Sequence, residues 1–231
     1  MGQMIEFQRP DGQTAKGYLA EAANPVGAVV VIQEWWGLND QIRGVAQRFA
    51  SAGFTALVPD LYRGQSTVEA EEAHHLMTGL NFGDAASQDI AGAVQALKAR
   101  QIGSGKVGIT GYCMGGRTSF VIAGKLPDRV AAAMSFHGGG LVTDADDSPH
   151  LRVDQISAVV YVGAAENDGS FTAEQGEILD RALTDAGVDH TVEFYPAAHG
   201  FAVPDNVGAY DESAAQRHWD AMERVFGAAL K

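Results

Sequence analysis

The sequence predicts a three-layer α/β/α sandwich built on a mostly parallel sheet, and three observations carry that expectation. Short β-branched runs alternate with amphipathic segments of ten or more residues along most of the chain, the pattern of βα units. The run over 28–32, Ala-Val-Val-Val-Ile, is continuously apolar, as a strand buried on both faces must be. Glycine is also abundant, 28 of 231 residues or about 12% against roughly 7% on average, which supplies many tight turns.

Each element follows from its local pattern. Ile5-Glu6-Phe7 and 14–20 alternate around Asp11-Gly12, reading as an antiparallel hairpin. After the strand over 28–32, Ile42, Val45, Ala46 and Phe49 recur at helical spacing over about 40–51, and Gly53 ends that helix. The next strand, 54–58, is halted by Pro59. A broken helical region covers 68–80 and a helix covers about 85–100. A strand over 106–110, a helix over 114–125 and a strand over 130–136 follow. The chain closes with a strand over 158–162, a helix over 173–186, a strand over 191–195 and a helix over about 209–229. No repeat or linker divides this series, so residues 1–231 read as one domain.

Composition removes several function classes. Sixteen Lys and Arg against 29 Asp and Glu give a formal charge of −13, which repels phosphate backbones and anionic membrane surfaces. The single cysteine excludes an internal disulfide and a cysteine-based metal cluster. The N-terminus has no basic patch followed by an apolar run, Glu6 stands where a myristoylation motif needs Ser or Thr, and the apolar stretch 27–32 is too short to span a bilayer. The expectation is a cytoplasmic protein, monomeric or a small homo-oligomer, that meets a small molecule and uses neither metal nor cofactor.

In a sheet of this kind, chemistry belongs in the loops beyond the carboxyl ends of the strands. Those loops carry Glu34-Trp35-Trp36, Asp60-Leu61-Tyr62, Tyr112-Cys113-Met114, His137-Gly138, Glu166-Asn167-Asp168 and His199-Gly200. Gly111-Tyr112-Cys113-Met114-Gly115 has the form Gly-x-nucleophile-x-Gly between a strand and a helix, a turn that lifts a nucleophile above the sheet. A thiol there lies at a helix N-terminus, whose dipole favours the thiolate. The thiol needs a base and the base an orienting acid. His199 follows the last strand, whereas His190 begins a strand, His150 lies in a loop and His218 is expected on the surface of the last helix. Asp168 is preferred to Glu166 as the acid. The chain order Cys113, Asp168, His199 is that of α/β-hydrolases. His74 and His75 are adjacent and point to different helix faces, so they make no metal pair.

Gly-Tyr-Cys-Met-Gly-Gly over 111–116 resembles the hallmark of the dienelactone hydrolase (carboxymethylenebutenolidase) family. Gln33-Glu34-Trp35-Trp36-Gly37-Leu38-Asn39, Val58-Pro59-Asp60-Leu61-Tyr62, Glu166-Asn167-Asp168 and His199-Gly200-Phe201-Ala202 resemble further family blocks, and the likeness spans nearly the whole chain. It implies an α/β-hydrolase fold, a Cys113–His199–Asp168 triad, and Glu34 as the carboxylate that takes the cysteine proton when substrate arrives. The backbone N–H groups of Met114 and Trp35 would form the oxyanion hole. Two arginines that grip the carboxylate of dienelactone in the family correspond here to Ala70 and Val203, and aromatic residues beside the first become His74 and Met77. Arg63 is the only arginine nearby. Dienelactone is therefore a doubtful substrate.

Trp36, Tyr62 and Phe201 are the expected substrate-binding residues. Phe82, Phe136 and Phe171 are further aromatic candidates, with core packing the competing role for each. The expected activity is cysteine-dependent hydrolysis of small esters, enol esters or lactones through a thioester. Two other classes stay open from the residues alone: a Cys/Glu enzyme or sensor acting on reactive aldehydes or oxidants, and a non-catalytic small-molecule binding protein.

Overall fold

The computed structural model describes residues 2–204, 206 and 208–231. Eight strands form one sheet: β1 (Gln3–Gln8), β2 (Thr14–Ala20), β3 (Gly27–Ile32), β4 (Phe54–Pro59), β5 (Val107–Tyr112), β6 (Val130–Phe136), β7 (Val159–Asn167) and β8 (His190–Ala198). Their spatial order is β1-β2-β4-β3-β5-β6-β7-β8. β1 pairs antiparallel with β2, and β2 with β4. Every pair from β4 to β8 is parallel. The expected hairpin thus caps one edge of a parallel sheet.

Alternation along the strands divides the core into two layers. Val30 and Ile32 face a cluster with Ile109, Val160 and helices α4 (Ala91–Lys98), α5 (Met114–Lys125) and α6 (Ala173–Asp185), through Val94, Phe120, Ile122, Leu179 and Leu183. Val29 and Val31 face the opposite cluster, where α1 (Asp40–Ser51) and α7 (Glu212–Ala229) contribute Ile42, Phe49, Trp219, Met222 and Phe226. The three-layer α/β/α arrangement of an α/β-hydrolase is what the sequence predicts.

α2 (Ala70–Gly79) lies within the predicted broken region. The segment expected as one helix from 85 is instead a short α3 (Phe82–Asp84), a π-helical turn (Ala85–Ile90) and α4. This turn carries buried Asp89, and Asp84 precedes it. The Arg9 guanidinium meets Asp84 at 2.9 Å and Asp89 at 3.4 Å, while Arg63 holds the other Asp89 oxygen at 2.9 Å. A 3-10 helix over Pro149–Gln155 has no counterpart in the predicted elements.

His218 is a correction. It is not on the surface of α7 but almost fully buried beside Trp219 and Met222. Its ring nitrogens are accounted for: Nδ1–H donates to the Ala215 carbonyl, and the Tyr112 hydroxyl lies 3.3 Å from Nε2. Burial pushes its pKa down to about 3, so the ring sits neutral in an aromatic layer.

Candidate active site

Strand order reverses between β3 and β5: the chain leaves β3 toward β4 on one side and later returns to β5 on the other. Loops diverge at such a point and open a crevice. Glu34 follows β3 and Cys113 follows β5, so both stand at this reversal.

Cys113 is the residue between β5 and α5 and has φ 55° and ψ −120°, a conformation that costs a non-glycine residue about 1–3 kcal/mol. Its N–H donates to the Phe136 carbonyl at 3.1 Å, which ties the turn to β6. The flanking glycines are required by close approach. A Cβ on Gly111 would overlap the Gly115 carbonyl, and one on Gly115 would stand 2.5 Å from the Gln33 carbonyl oxygen. The same contact seats the Glu34 loop directly on the Cys113 turn. The first N–H groups of α5, that of Met114 included, have no intrahelical acceptor. Trp35 is half-buried, and its ring meets Trp36 edge-on with centroids 4.9 Å apart.

Glu34 is only 6% exposed, and its Oε2 has no hydrogen-bond partner among the described residues. Burial raises its pKa to about 7, against the opposing pull of the His199 charge. The carboxyl group therefore exchanges its proton near neutrality. The loop is fixed by Gln33, whose Oε1 accepts the Leu61 N–H at 3.3 Å and whose Nε2 donates to the Glu34 carbonyl at 3.4 Å.

The Asp168 carboxylate and the His199 imidazole meet with Oδ2 and Nδ1 2.6 Å apart. Desolvation opposes charge on each partner, but their mutual hydrogen bond outweighs it. His199 is held up to about 10, with the Cys113 sulfur adding to the effect, and Asp168 is held down to about 2, with Ser170 adding to it. Strand β8 runs on to Ala198 and delivers His199; β7 ends at Asn167 and delivers Asp168. Glu166 is exposed, outside this pair.

Two neighbours of His199 are absent from the sequence-predicted site. His137, directly after β6, is fully buried at φ 37°, with its ring centroid 5.0 Å from that of His199 and neither ring nitrogen hydrogen-bonded among the described residues. Burial and the His199 charge press it well below the usual histidine range, so it stays neutral. Ser170 lies two residues beyond Asp168. The signals were present: His137 ends a strand, and Asp-x-Ser is a turn former.

The expected substrate-binding residues separate. Phe201 has no exposed surface; its ring packs on His137 and Tyr195 at 5.3 and 5.0 Å, so it is core behind His199 rather than a pocket wall, as are Phe136 and Phe171. Apolar burial won over the proximity of Phe201 to the site in sequence. Tyr62 is buried with its hydroxyl 3.5 Å from Met114 Sδ. Trp36 lines a cleft of about 270 Å³ with Asn39, Gln41, Thr67, Val68 and Val203. No described residue lining it is charged. Arg63 is turned away from the site, toward Asp89 and the Asp60 carbonyl. A larger groove of about 400 Å³ follows the outer face of α5 from Phe82 to Arg152, and none of Glu34, Cys113, Asp168 or His199 lines either this groove or the Trp36 cleft. His74 and His75 are exposed on α2, and among the described residues no three His, Cys, Asp or Glu side chains could hold a metal ion.

Known proteins share this architecture. The sequence pattern of the dienelactone hydrolase family matches residues 15–230. Protein usf of Aquifex pyrophilus is 33% identical over 233 residues, covering 98% of each chain. The carboxymethylenebutenolidase of Pseudomonas putida is 28% identical over 221 residues, 91% of this chain and 90% of its own. Among solved structures, a dienelactone hydrolase-like promiscuous phosphotriesterase from metagenomic libraries superposes with a TM-score of 0.82 at 26% identity, covering 100% of this chain and 99% of its own.

Proposed function

The chain belongs to the dienelactone hydrolase family, and from that premise we propose that it is a cysteine-dependent hydrolase of small, uncharged esters, enol esters or lactones. The observation that carries this reading is the short Asp168–His199 contact beside a cysteine held in a strained strand-to-helix turn. A buried thiol that served packing alone would need neither the strain nor a charged acid–base pair next to it.

In this mechanism Glu34, poised near neutrality, takes the Cys113 proton as substrate enters. The sulfur attacks the acyl carbonyl and a C–S bond forms. The resulting oxyanion is held by the N–H groups of Met114 and Trp35, worth about 3–4 kcal/mol per donor in comparable sites. Collapse breaks the C–O bond, and the leaving oxygen takes a proton from the His199 imidazolium. Neutral His199 then removes a proton from water, which attacks the thioester carbonyl; the C–S bond breaks, the acid departs, and Glu34 returns its proton to the sulfur. Asp168 keeps the imidazole oriented and supports its cation. An enolate leaves without strong protonation, so enol esters and lactones suit the site and amides do not.

Ala70 and Val203 offer no cation, and Arg63 is committed to Asp89. A substrate carboxylate would therefore lack the charge-assisted partners that normally bind it.

The test is Cys113→Ala, assayed with p-nitrophenyl acetate and a panel of neutral and carboxylated lactones. Hydrolysis should fall to background with an unchanged melting temperature, and intact mass should show one acyl adduct on the parent protein only. Full activity in Cys113→Ala would overturn the reading.

A further inference from the structure

The Asp168 carboxylate is almost wholly removed from water, with 4% of its side chain exposed, so protein donors must supply its hydrogen bonds. His199 occupies Oδ2. Both donors on Oδ1 come from one residue: the Ser170 N–H at 2.8 Å and the Ser170 hydroxyl at 2.7 Å. The backbone bond alone is an ordinary turn in which an aspartate accepts from the residue two ahead. The hydroxyl is different, because a turn does not require it and it also lies 3.5 Å from His199 Nδ1.

Ser170 is itself held from outside its turn. The Gly140 N–H donates to the Ser170 carbonyl at 3.3 Å, and a Cβ on Gly139 would stand 2.8 Å from the Ser170 hydroxyl oxygen. The loop after β6 therefore packs on Ser170 on one side, while His137 of the same loop abuts the His199 ring on another. A carboxylate with two donors fixed on Oδ1 cannot rotate about its Cβ–Cγ bond without breaking both. That restraint keeps Oδ2 aimed at Nδ1.

We propose that Ser170 is a positioning residue for the acid–base pair, acting through Asp168: its hydroxyl locks the carboxylate so that one oxygen is reserved for His199 throughout turnover. The inference rests on the catalytic reading of Cys113, Asp168 and His199 and adds a residue to it. Ser170 touches neither the substrate nor the sulfur in this scheme.

Ser170→Ala removes the hydroxyl and keeps the backbone bond. A hydrogen bond to a charged group of this kind governs about a tenfold effect or more, so kcat for p-nitrophenyl acetate should fall about 10-fold with KM unchanged within twofold. The low-field proton resonance of the His199 Nδ1–H, sharp in the parent, should broaden or shift upfield. Ser170→Thr, which restores a hydroxyl, should recover kcat to within threefold and restore the resonance. A role confined to folding would lower the melting temperature of Ser170→Ala and leave kcat and the resonance of the folded fraction alone; that outcome overturns the proposal. So does Ser170→Thr as slow as Ser170→Ala. If Ser170→Ala keeps the parent kcat while Cys113→Ala is inactive, the positioning role fails and the hydrolase reading stands. If Cys113→Ala is fully active, both fall together.

Discussion

Asp168→Asn separates the electrostatic role of the acid from its shape. Asparagine keeps the size and can still accept from Ser170, but the charge facing His199 is gone. The Asp168 pKa is lowered from 3.8 to about 2; its side chain is only 4% exposed, but that of His199 facing it is 37% exposed, so solvent screens part of the interaction. A difference of about 1.8 units at 1.36 kcal/mol each amounts to about 2 kcal/mol of folding free energy at pH 7. The raised His199 pKa describes the same contact from the other partner and is not added. Because the folded pKa is the depressed one, this contribution is complete above pH 3.8 and disappears as pH falls through 2. For a chain of this length, 2 kcal/mol corresponds to about 4–8 °C in melting temperature. Urea unfolding at pH 7 and pH 2.5 should therefore give a stability gap of about 2 kcal/mol that shrinks below about 1 kcal/mol in acid. In parallel, kcat/KM should drop by about 10³–10⁴, the scale seen when a triad aspartate loses its charge. A gap that is the same at both pH values, or a variant within fivefold of the parent kcat/KM, would refute the argument that this carboxylate holds His199.

Glu34 has the opposite sign. Its folded pKa, about 7, stands above the ordinary 4.5, so the stability it confers is complete below pH 4.5 and lost as pH rises through 7. Glu34→Gln should be more stable than the parent at pH 8, by up to about 3 kcal/mol, while losing turnover; equal melting temperatures at pH 4.5 and a gap at pH 8 are the expected pattern in calorimetry. Gly115→Ala should drive the Glu34 loop off the Cys113 turn, because its Cβ would stand 2.5 Å from the Gln33 carbonyl oxygen. About 1–3 kcal/mol of destabilisation is expected, with a change in the pH dependence of Cys113 alkylation by iodoacetamide. An unaltered alkylation profile would show that the two loops are not coupled.

The parts of the structure legible in the sequence are those specified locally. Flanking glycines announce the turn at Cys113, and α5 begins and ends at the residues that its pattern predicts. Strand-end positions marked His199 and Asp168. What was not legible depends on partners remote in the chain. The π-helical turn at 85–90 has no local signature; its Asp89 is explained only once Arg9 and Arg63 are beside it. His218 looks like a surface residue on type alone, yet it falls on the face of α7 carrying Ala214, Ala215, Met222 and Val225, and that spacing was readable. Phe201 was drawn toward the pocket by its nearness to His199, whereas burial drew it beneath. Ser170 and His137 stood at readable positions, in the turn after Asp168 and just past a strand, but the contacts that make them matter come only with the fold.

The sheet order also sets a timetable. Cys113 emerges from the ribosome with β5, whereas Asp168 arrives after β7 and His199 only after β8, the far edge strand. His199 is brought to the sulfur through the successive pairings of β6 on β5, β7 on β6 and β8 on β7. A chain ending before residue 190 carries Cys113 and Glu34 but lacks His199, which the proposed mechanism needs to release the acyl group. On the proposed mechanism, turnover of esters therefore waits for the last strand of the sheet, because only then does His199 stand beside Cys113.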